Sequence, residues 1–454
     1  MSTAVRPETR FPWWTLGASV VLTIAPLAVF LEGGSTTREI VVAVGALAVA
    51  AYAASVHPLS IFVGSAVALG FVPYLDVPGT KIPVILVLAV GLWVALAFLP
   101  GVRFRPGWCE LWVFALAATA LLSVVATGVS TTSLTELAAW LAATAVVVPV
   151  RFLPASARTT MARAFVVSTA AASALGIVLV RVDPQGVLLG RLAFAGYDPT
   201  RRNVQQVGGT ETLTTRLTGT FVEPNIAGLV LAAGVLLAVA YFRGPLRATL
   251  IVVIGAGLLL TLSRSAIATV VVAGILLVLR APGGRKVTTI IAGLFAGLGS
   301  LAIPQVRDRL LDSFGPSDTG TRMRDLALQE FPRAMDGQWV WGLGWAREEF
   351  RDPALGRAVN FVANAPLITV YRGGVVLGVL VVLVLLVLVV RSWFVARGTF
   401  EGAVLCTAVI GFVLVACQLD FPIVLQAPAT VLFSFLVGLS LAPHPSSPPG
   451  TRHA

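Results

Sequence analysis

The sequence predicts an all-α, polytopic integral membrane protein, and three observations carry that expectation. Hydrophobic residues make up 57% of the 454-residue chain and charged residues only 12%, more apolar surface than a soluble domain of this size can hide from water. Apolar stretches close to the ~20 residues that a helix needs to cross hydrocarbon recur from Trp13 to Leu441, leaving no sizeable soluble domain. The formal net charge of +11 comes mostly from arginines standing singly in short loops between those stretches. That pattern fixes orientation in a membrane and does not resemble a nucleic-acid-binding face.

Taken in order, about fourteen spans meet the length requirement. The first seven fall near 13–30, 40–56, 59–75, 82–99, 108–127, 134–150 and 162–180. Seven more fall near 220–242, 246–263, 265–279, 287–303, 374–394, 403–419 and 424–441. No signal-peptide pattern precedes the first span, which is expected to stay uncleaved. Cys109, Cys406 and Cys417 lie in or beside apolar runs, so neither a disulfide framework nor a thiolate metal site is expected. Residues 1–454 read as one membrane domain, with 442–454 a disordered cytoplasmic tail.

Loop charge sets the orientation. With the N-terminus inside, the inner loops carry Arg103 and Arg105, then Arg151, Arg158 and Arg163, then Arg243 and Arg247, Arg280 and Arg285, and finally Arg391 and Arg397. The outer loops carry Glu32, Glu39, Asp76, Glu136 and Asp420 against Arg38 and Lys81, the expected positive-inside bias at every inner loop but the short one at His57. The same rule divides the apolar run 246–279, because one long helix would put positive flanks on both sides of the membrane. Two short helices joined in a tight outer hairpin at Ser263-Arg264-Ser265 return both flanks to the cytoplasm.

Two outer segments, 181–219 and 304–360, are too long to be simple turns and are expected to carry function. In the larger, Met323, Leu326, Ala327 and Phe331 form an apolar stripe at helical spacing, opposite Arg322, Asp325 and Gln329. Trp339, Trp341 and Trp345 follow and suit a segment resting at the headgroup level. An ordered, partly helical cap on the outer face is the expectation. No internal repeat is visible.

The residues that can carry chemistry collect on that outer face. Arg216 precedes a span in Arg-Leu-Thr-Gly-Thr-Phe-Val-Glu-Pro-Asn, placing Glu223 and Asn225 at or below the interface, where a carboxylate is costly unless paired. Arg264 occupies the hairpin, Arg322 and Arg324 open the loop helix, and Asn364 and Arg372 fall just before the twelfth span. A guanidinium offers a planar fork of donors that grips pyrophosphate oxygens and stays charged at physiological pH. Fixed cations at a leaving oxygen lower the barrier as its charge develops. Plainer readings stand beside this one. Arg216 and Arg264 can anchor to lipid headgroups, Glu223-Pro224-Asn225 can kink a helix, Arg322 and Arg324 can be a solvated face paired with Asp325, and the tryptophans can be interface packing.

In their order along the chain these residues resemble the O-antigen ligase and O-antigen polymerase superfamily of bacterial envelope enzymes. Arg216 to Asn225 is similar to that family's Arg-x-x-Gly-x-Phe-x-x-Pro-Asn segment, and Thr261-Leu-Ser-Arg264-Ser to its Ser-Arg hairpin. Thr319-Gly-Thr-Arg322 and Trp341-Gly-Leu-Gly344 resemble its Gly-Arg element and Gly-x-Gly turn. Asn364-Ala-Pro-Leu367 and Arg372-Gly-Gly resemble its His-Asn-x-x-Leu stretch and the glycine segment after it. The resemblance covers about 210–395.

It implies a metal-independent, cofactor-free glycosyltransferase that moves a glycan from undecaprenyl pyrophosphate to a glycan, lipid or protein hydroxyl, at the outer face of the inner membrane. In that carry-over Arg216 and Arg264 hold the donor pyrophosphate and Arg322 fixes the loop or binds phosphate or sugar. One departure matters: Ala363 stands where the family commonly has His, and the histidines present are His57, His444 and His453, none on the outer face in this topology. The acceptor proton then falls to a carboxylate, to phosphate or to no side chain, with Glu223 the first candidate and Asp325 the second. A transporter or flippase of lipid-linked sugars is the rival class. It would favour ionisable residues at mid-membrane and often repeated halves, whereas the sequence has few mid-span charges, no obvious repeat, and candidate residues collected at one face. A structural partner in an envelope assembly is the third reading, and it needs no arginine clamp.

Overall fold

The computed structural model describes residues 55–77, 82–99, 107–183, 187–192, 196–197, 206–208, 213–280, 319–346, 351–352, 357–358, 364–395, 399–418 and 427–442, with isolated positions at 45 and 52. They form a helical bundle: α1 (Pro58–Phe71), α2 (Val84–Phe98), α3 (Trp108–Thr127), α4 (Thr131–Ala145), α5 (Val147–Phe152), α6 (Ala155–Val182), α7 (Pro224–Tyr241), α8 (Gly244–Leu260), α9 (Arg264–Arg280), α10 (Thr319–Ala334), α11 (Ala365–Val395), α12 (Phe400–Gln418) and α13 (Ala427–Leu441). Among the described residues five spans are long and apolar enough to cross a membrane: α3, α4 continued through α5, α6, α7 and α11. The shorter apolar helices include α1, whose 14 residues reach about 21 Å at a helical rise, short of the ~30 Å hydrocarbon core. Helices of that length need flanking extended residues or a locally thinned bilayer. The expected spans near 13–30, 40–56 and 287–303 lie outside the described residues, apart from scattered positions of the second.

Apolar side chains gain little by leaving lipid for one another, so the bundle depends on close approach of small residues. A Cβ added at Gly234 of α7 would stand 2.7 Å from Thr169 Cγ2 of α6, and one at Gly228 would stand 2.7 Å from Ala266 Cβ of α9. Ser173 of α6 donates its hydroxyl to Val253 O of α8 at 2.8 Å. The α7 helix, 78% buried along its span, is the centre of this half, packed by α6, α8, α9 and α12.

Those of the expected inner-loop arginines that are described gather at one end of the bundle. Arg151 pairs with Glu110, and Arg163 donates to Tyr241 O at 3.2 Å. Arg280 stacks 4.1 Å from the Trp393 ring, and Arg391 stacks 5.3 Å from that of Trp108. At the opposite end α6 runs out at Asp183, and the turns before α7 and α9 begin.

Three elements depart from expectation. The α11 helix starts at Ala365, inside what the sequence suggested was an outer connection, and breaks at Gly374 (φ 80°, ψ 172°). The break deprives the carbonyls of Tyr371 and Arg372 and the N–H of Val375 of intrahelical partners, and residues 339–344 supply them. Leu343 N–H donates to Tyr371 O at 2.7 Å, Gly344 N–H to Arg372 O at 3.2 Å, and Val375 N–H to Trp339 O at 2.8 Å. Such repair is what a broken helix at membrane depth requires. Second, Trp345 is no headgroup anchor. It is 1% exposed, 5.1 Å from the Trp140 ring, and its Nε1 donates to Ser123 Oγ at 3.1 Å. Trp339 and Trp341 do remain exposed. Third, the outer segments carry two small antiparallel pairs, β1 (Gln206–Gly208) with β2 (Leu213–Thr215), and β3 (Arg351–Asp352) with β4 (Arg357–Ala358).

The expected loop helix is present as α10. Ala327, Phe331 and Met335 are buried while Asp325, Gln329 and Glu330 face outward, so the stripe seats the helix; the side chains of Met323 and Leu326 lie outside the described residues. The tail 443–454 also lies outside them.

Candidate functional site

The β2 strand ends at Thr215 and delivers Arg216 to the seam between α7 and the α8–α9 hairpin. Arg216 is 6% exposed; its Nε donates to Thr261 O at 2.7 Å and its Nη2 to Asn225 Oδ1 at 3.0 Å. Leu217 N–H donates to Leu260 O at 2.8 Å. These bonds satisfy carbonyls that the end of α8 leaves over, and a guanidinium complements the negative end of that helix dipole. The segment then turns at Gly219 (φ 51°), against Gly176 of α6. It passes through a short 3-10 turn, Gly219–Phe221, and enters α7 with Glu223 as N-cap and Pro224 in the first turn, where a missing N–H costs nothing.

The hairpin is tight, as the charge rule required. Thr261, Leu262 and Ser263 alone separate α8 from α9, and Arg264 is the first residue of α9. Thr261 donates its hydroxyl to Leu258 O at 2.6 Å and accepts from Ser263 N–H at 3.2 Å, while the Ser263 and Ser265 hydroxyls lie 3.1 Å apart. Close contact of Gly228 with Ser263 and Ala266 brings the N-terminal ends of α7 and α9 side by side. Arg264, Glu223 and Asn225 are each half-buried there. Two helix N-termini, whose first-turn N–H groups have no intrahelical partner and whose dipole ends are positive, thus converge beside an arginine.

Backbone strain is concentrated at the same place. Among the described residues the non-glycine positions with positive φ are Val222 (60°) and Leu262 (51°), one next to Glu223 and the other two residues before Arg264. Such conformations cost of order 1–3 kcal/mol each and persist where surrounding structure imposes them, commonly at functional sites. No sequence signal marks either position, because Val and Leu are residues one expects in regular structure.

The other candidates are placed differently. Arg372, 7% exposed, stands in α11 just before the break, with an Nη 3.6 Å from Glu136 Oε2 of α4 and its guanidinium 6.0 Å from the Trp345 ring. It therefore braces the docked loop segment. Its partner Glu136 was legible only as one acid among the outer loops. Asn364 caps α11, its Oδ1 accepting from Leu367 N–H at 3.1 Å. Asp325 is exposed on α10, and the side chains of Arg322 and Arg324 lie outside the described residues. The structure thus joins Arg216, Asn225, Glu223 and the Arg264 hairpin in one cluster, and holds Arg372 with Glu136 and Trp345 in another at the same end of the bundle. Comparison with known proteins finds no family model that matches the chain and no curated protein that matches it.

Proposed function

We propose that the protein is a membrane glycosyltransferase that moves a glycan from undecaprenyl pyrophosphate to an acceptor hydroxyl at the extracytoplasmic face of an inner membrane. In this proposal the chain crosses about fourteen times with both termini cytoplasmic. The observation that carries the reading is the convergence of the α7 and α9 N-termini, with Arg264 on one and Glu223 on the other, locked by buried Arg216. An anionic pyrophosphate fits such a cradle. In the reaction the bond from the sugar's anomeric carbon to the pyrophosphate oxygen breaks and a bond from that carbon to the acceptor oxygen forms. Undecaprenyl pyrophosphate leaves with the electron pair, and Glu223 is the proposed base that takes the acceptor proton, with Asp325 next in line. The order of motifs from Arg216 to Arg372, similar to O-antigen ligases and polymerases, supports the same reading.

The test is a proteoliposome carrying fluorescent undecaprenyl-pyrophosphate oligosaccharide in one leaflet, with a glycan acceptor outside. Label appearing in the acceptor supports the proposal. Movement of intact donor between leaflets without transfer would replace it with a flippase.

A further inference from the structure

We propose that the arginine-bearing end of the bundle holds an anionic glycerophospholipid of the leaflet that faces it, with an acyl chain lying against a partly open apolar pocket and the phosphate on Arg391. The site is at the end opposite the Arg216 cluster and does not depend on the glycosyltransferase reading.

An apolar pocket, partly open, lies among α3, α4, α5, α11 and α13, walled by Trp108, Trp112, Leu116, Trp140, Leu385 and Val437 among others. Its lining is apolar almost throughout, which suits a hydrocarbon chain and no polar metabolite. Trp108, the first residue of α3, belongs to the wall and to the end of the bundle at once, the level where an amphipathic indole sits at a membrane interface. Arg391 stacks on that ring at 5.3 Å and is itself exposed. Stacking uses the face of a guanidinium and leaves its edge donors for a phosphate.

Charge pairing at this mouth singles out Arg391. Arg151 is neutralised by Glu110, which also accepts from Gly107 N–H at 2.7 Å. Arg391 has no carboxylate partner among the described residues. Just below, the buried Thr144 hydroxyl in the cavity wall has no hydrogen-bond partner among the described residues. An unpaired buried hydroxyl is unfavourable by about 1–3 kcal/mol, and the ester carbonyl that tops an acyl chain is an acceptor of the right kind at that depth. A headgroup cation, an interfacial tryptophan, a polar atom one to two turns deeper and an apolar cavity beyond it follow the order of groups along a phospholipid. A polyprenyl donor would present its phosphate at the opposite end.

The test uses full-length protein in detergent and the tryptophans of the cavity as reporters. Phosphatidylglycerol with a dibrominated acyl chain is titrated in, and quenching of tryptophan fluorescence is compared with that by dibrominated phosphatidylcholine. The expected result is saturable quenching with half-saturation at least ~10-fold lower for phosphatidylglycerol, about 1.4 kcal/mol of headgroup preference. Arg391→Gln, at an exposed position, abolishes the preference without changing the thermal midpoint, and the double variant Trp108→Phe, Trp112→Phe removes the saturable component. Equal quenching by both lipids, a preference that survives Arg391→Gln, or displacement by undecaprenyl phosphate but not by unbrominated phosphatidylglycerol would overturn the proposal.

Discussion

Arg216 is buried, with its Nε on Thr261 O and its Nη2 on Asn225 Oδ1, whereas Arg264 stands half-buried at a helix N-terminus. Arg216 and Arg264 should therefore fail in different ways. Arg216→Ala leaves the end of α8 and the Asn225 amide without their partner, so it lowers stability by about 1–3 kcal/mol as well as abolishing transfer. Arg264→Ala removes a cation from the N-terminus of α9; it reduces transfer by about 100-fold, the scale of losing one charge-stabilising group. Thermal unfolding of both variants beside their transfer rates separates the two roles. Strain offers a second test at this scale. Val222→Gly relieves a φ of 60° and is expected to raise the thermal midpoint while lowering transfer, because the turn before Glu223 loosens. A drop in both would show that the Val222 side chain matters more than its backbone.

At the scale of elements, the decisive contact is the seam between residues 339–344 and the break in α11. A Cβ at Gly374 would meet Val340 O at 1.9 Å, so Gly374→Ala forces the loop off the helix and unpairs Tyr371 O and Val375 N–H together. Limited proteolysis should then cut within 304–360 far faster than in wild type, with transfer lost alongside. Unchanged protection would mean that other contacts hold the loop. This seam was not legible in the sequence, since Gly373-Gly374 in an apolar run reads equally well as helix packing; only the approach of a distant backbone makes it a break. Trp345 was misread for a related reason. A tryptophan in a long outer segment fits the headgroup level, and the Ser123 that its indole meets lies 222 residues away in the chain. The Arg264 hairpin and α10 were legible because local rules decide them: loop charge for the first, and a 3.6-residue stripe for the second.

At the scale of the whole molecule, the described arginines of the expected inner loops and the cluster around Arg216 occupy opposite ends of the bundle. Which end faces the cytoplasm follows from the positive-inside rule and can be measured directly. In a variant with Cys109, Cys406 and Cys417 replaced by Ser, Thr131→Cys at the site end should react with an impermeant maleimide in intact cells. Ser156→Cys at the arginine-bearing end should react only after permeabilisation. Both positions are exposed in the structure, so the reverse pattern would invert the orientation and move the site to the cytoplasm. The number of spans was less legible than the class, because hydropathy counts apolar runs while the structure shows some too short to cross alone.

The account stands on Arg264 acting upon a lipid pyrophosphate. The measurement that tests it most directly is release of undecaprenyl pyrophosphate by the purified, reconstituted protein given undecaprenyl-pyrophosphate oligosaccharide and an acceptor glycan. Release by wild type, with about 100-fold less from a folded Arg264→Ala variant, is the predicted result. Equal release from both, or none from folded wild-type protein across several donors, would contradict it.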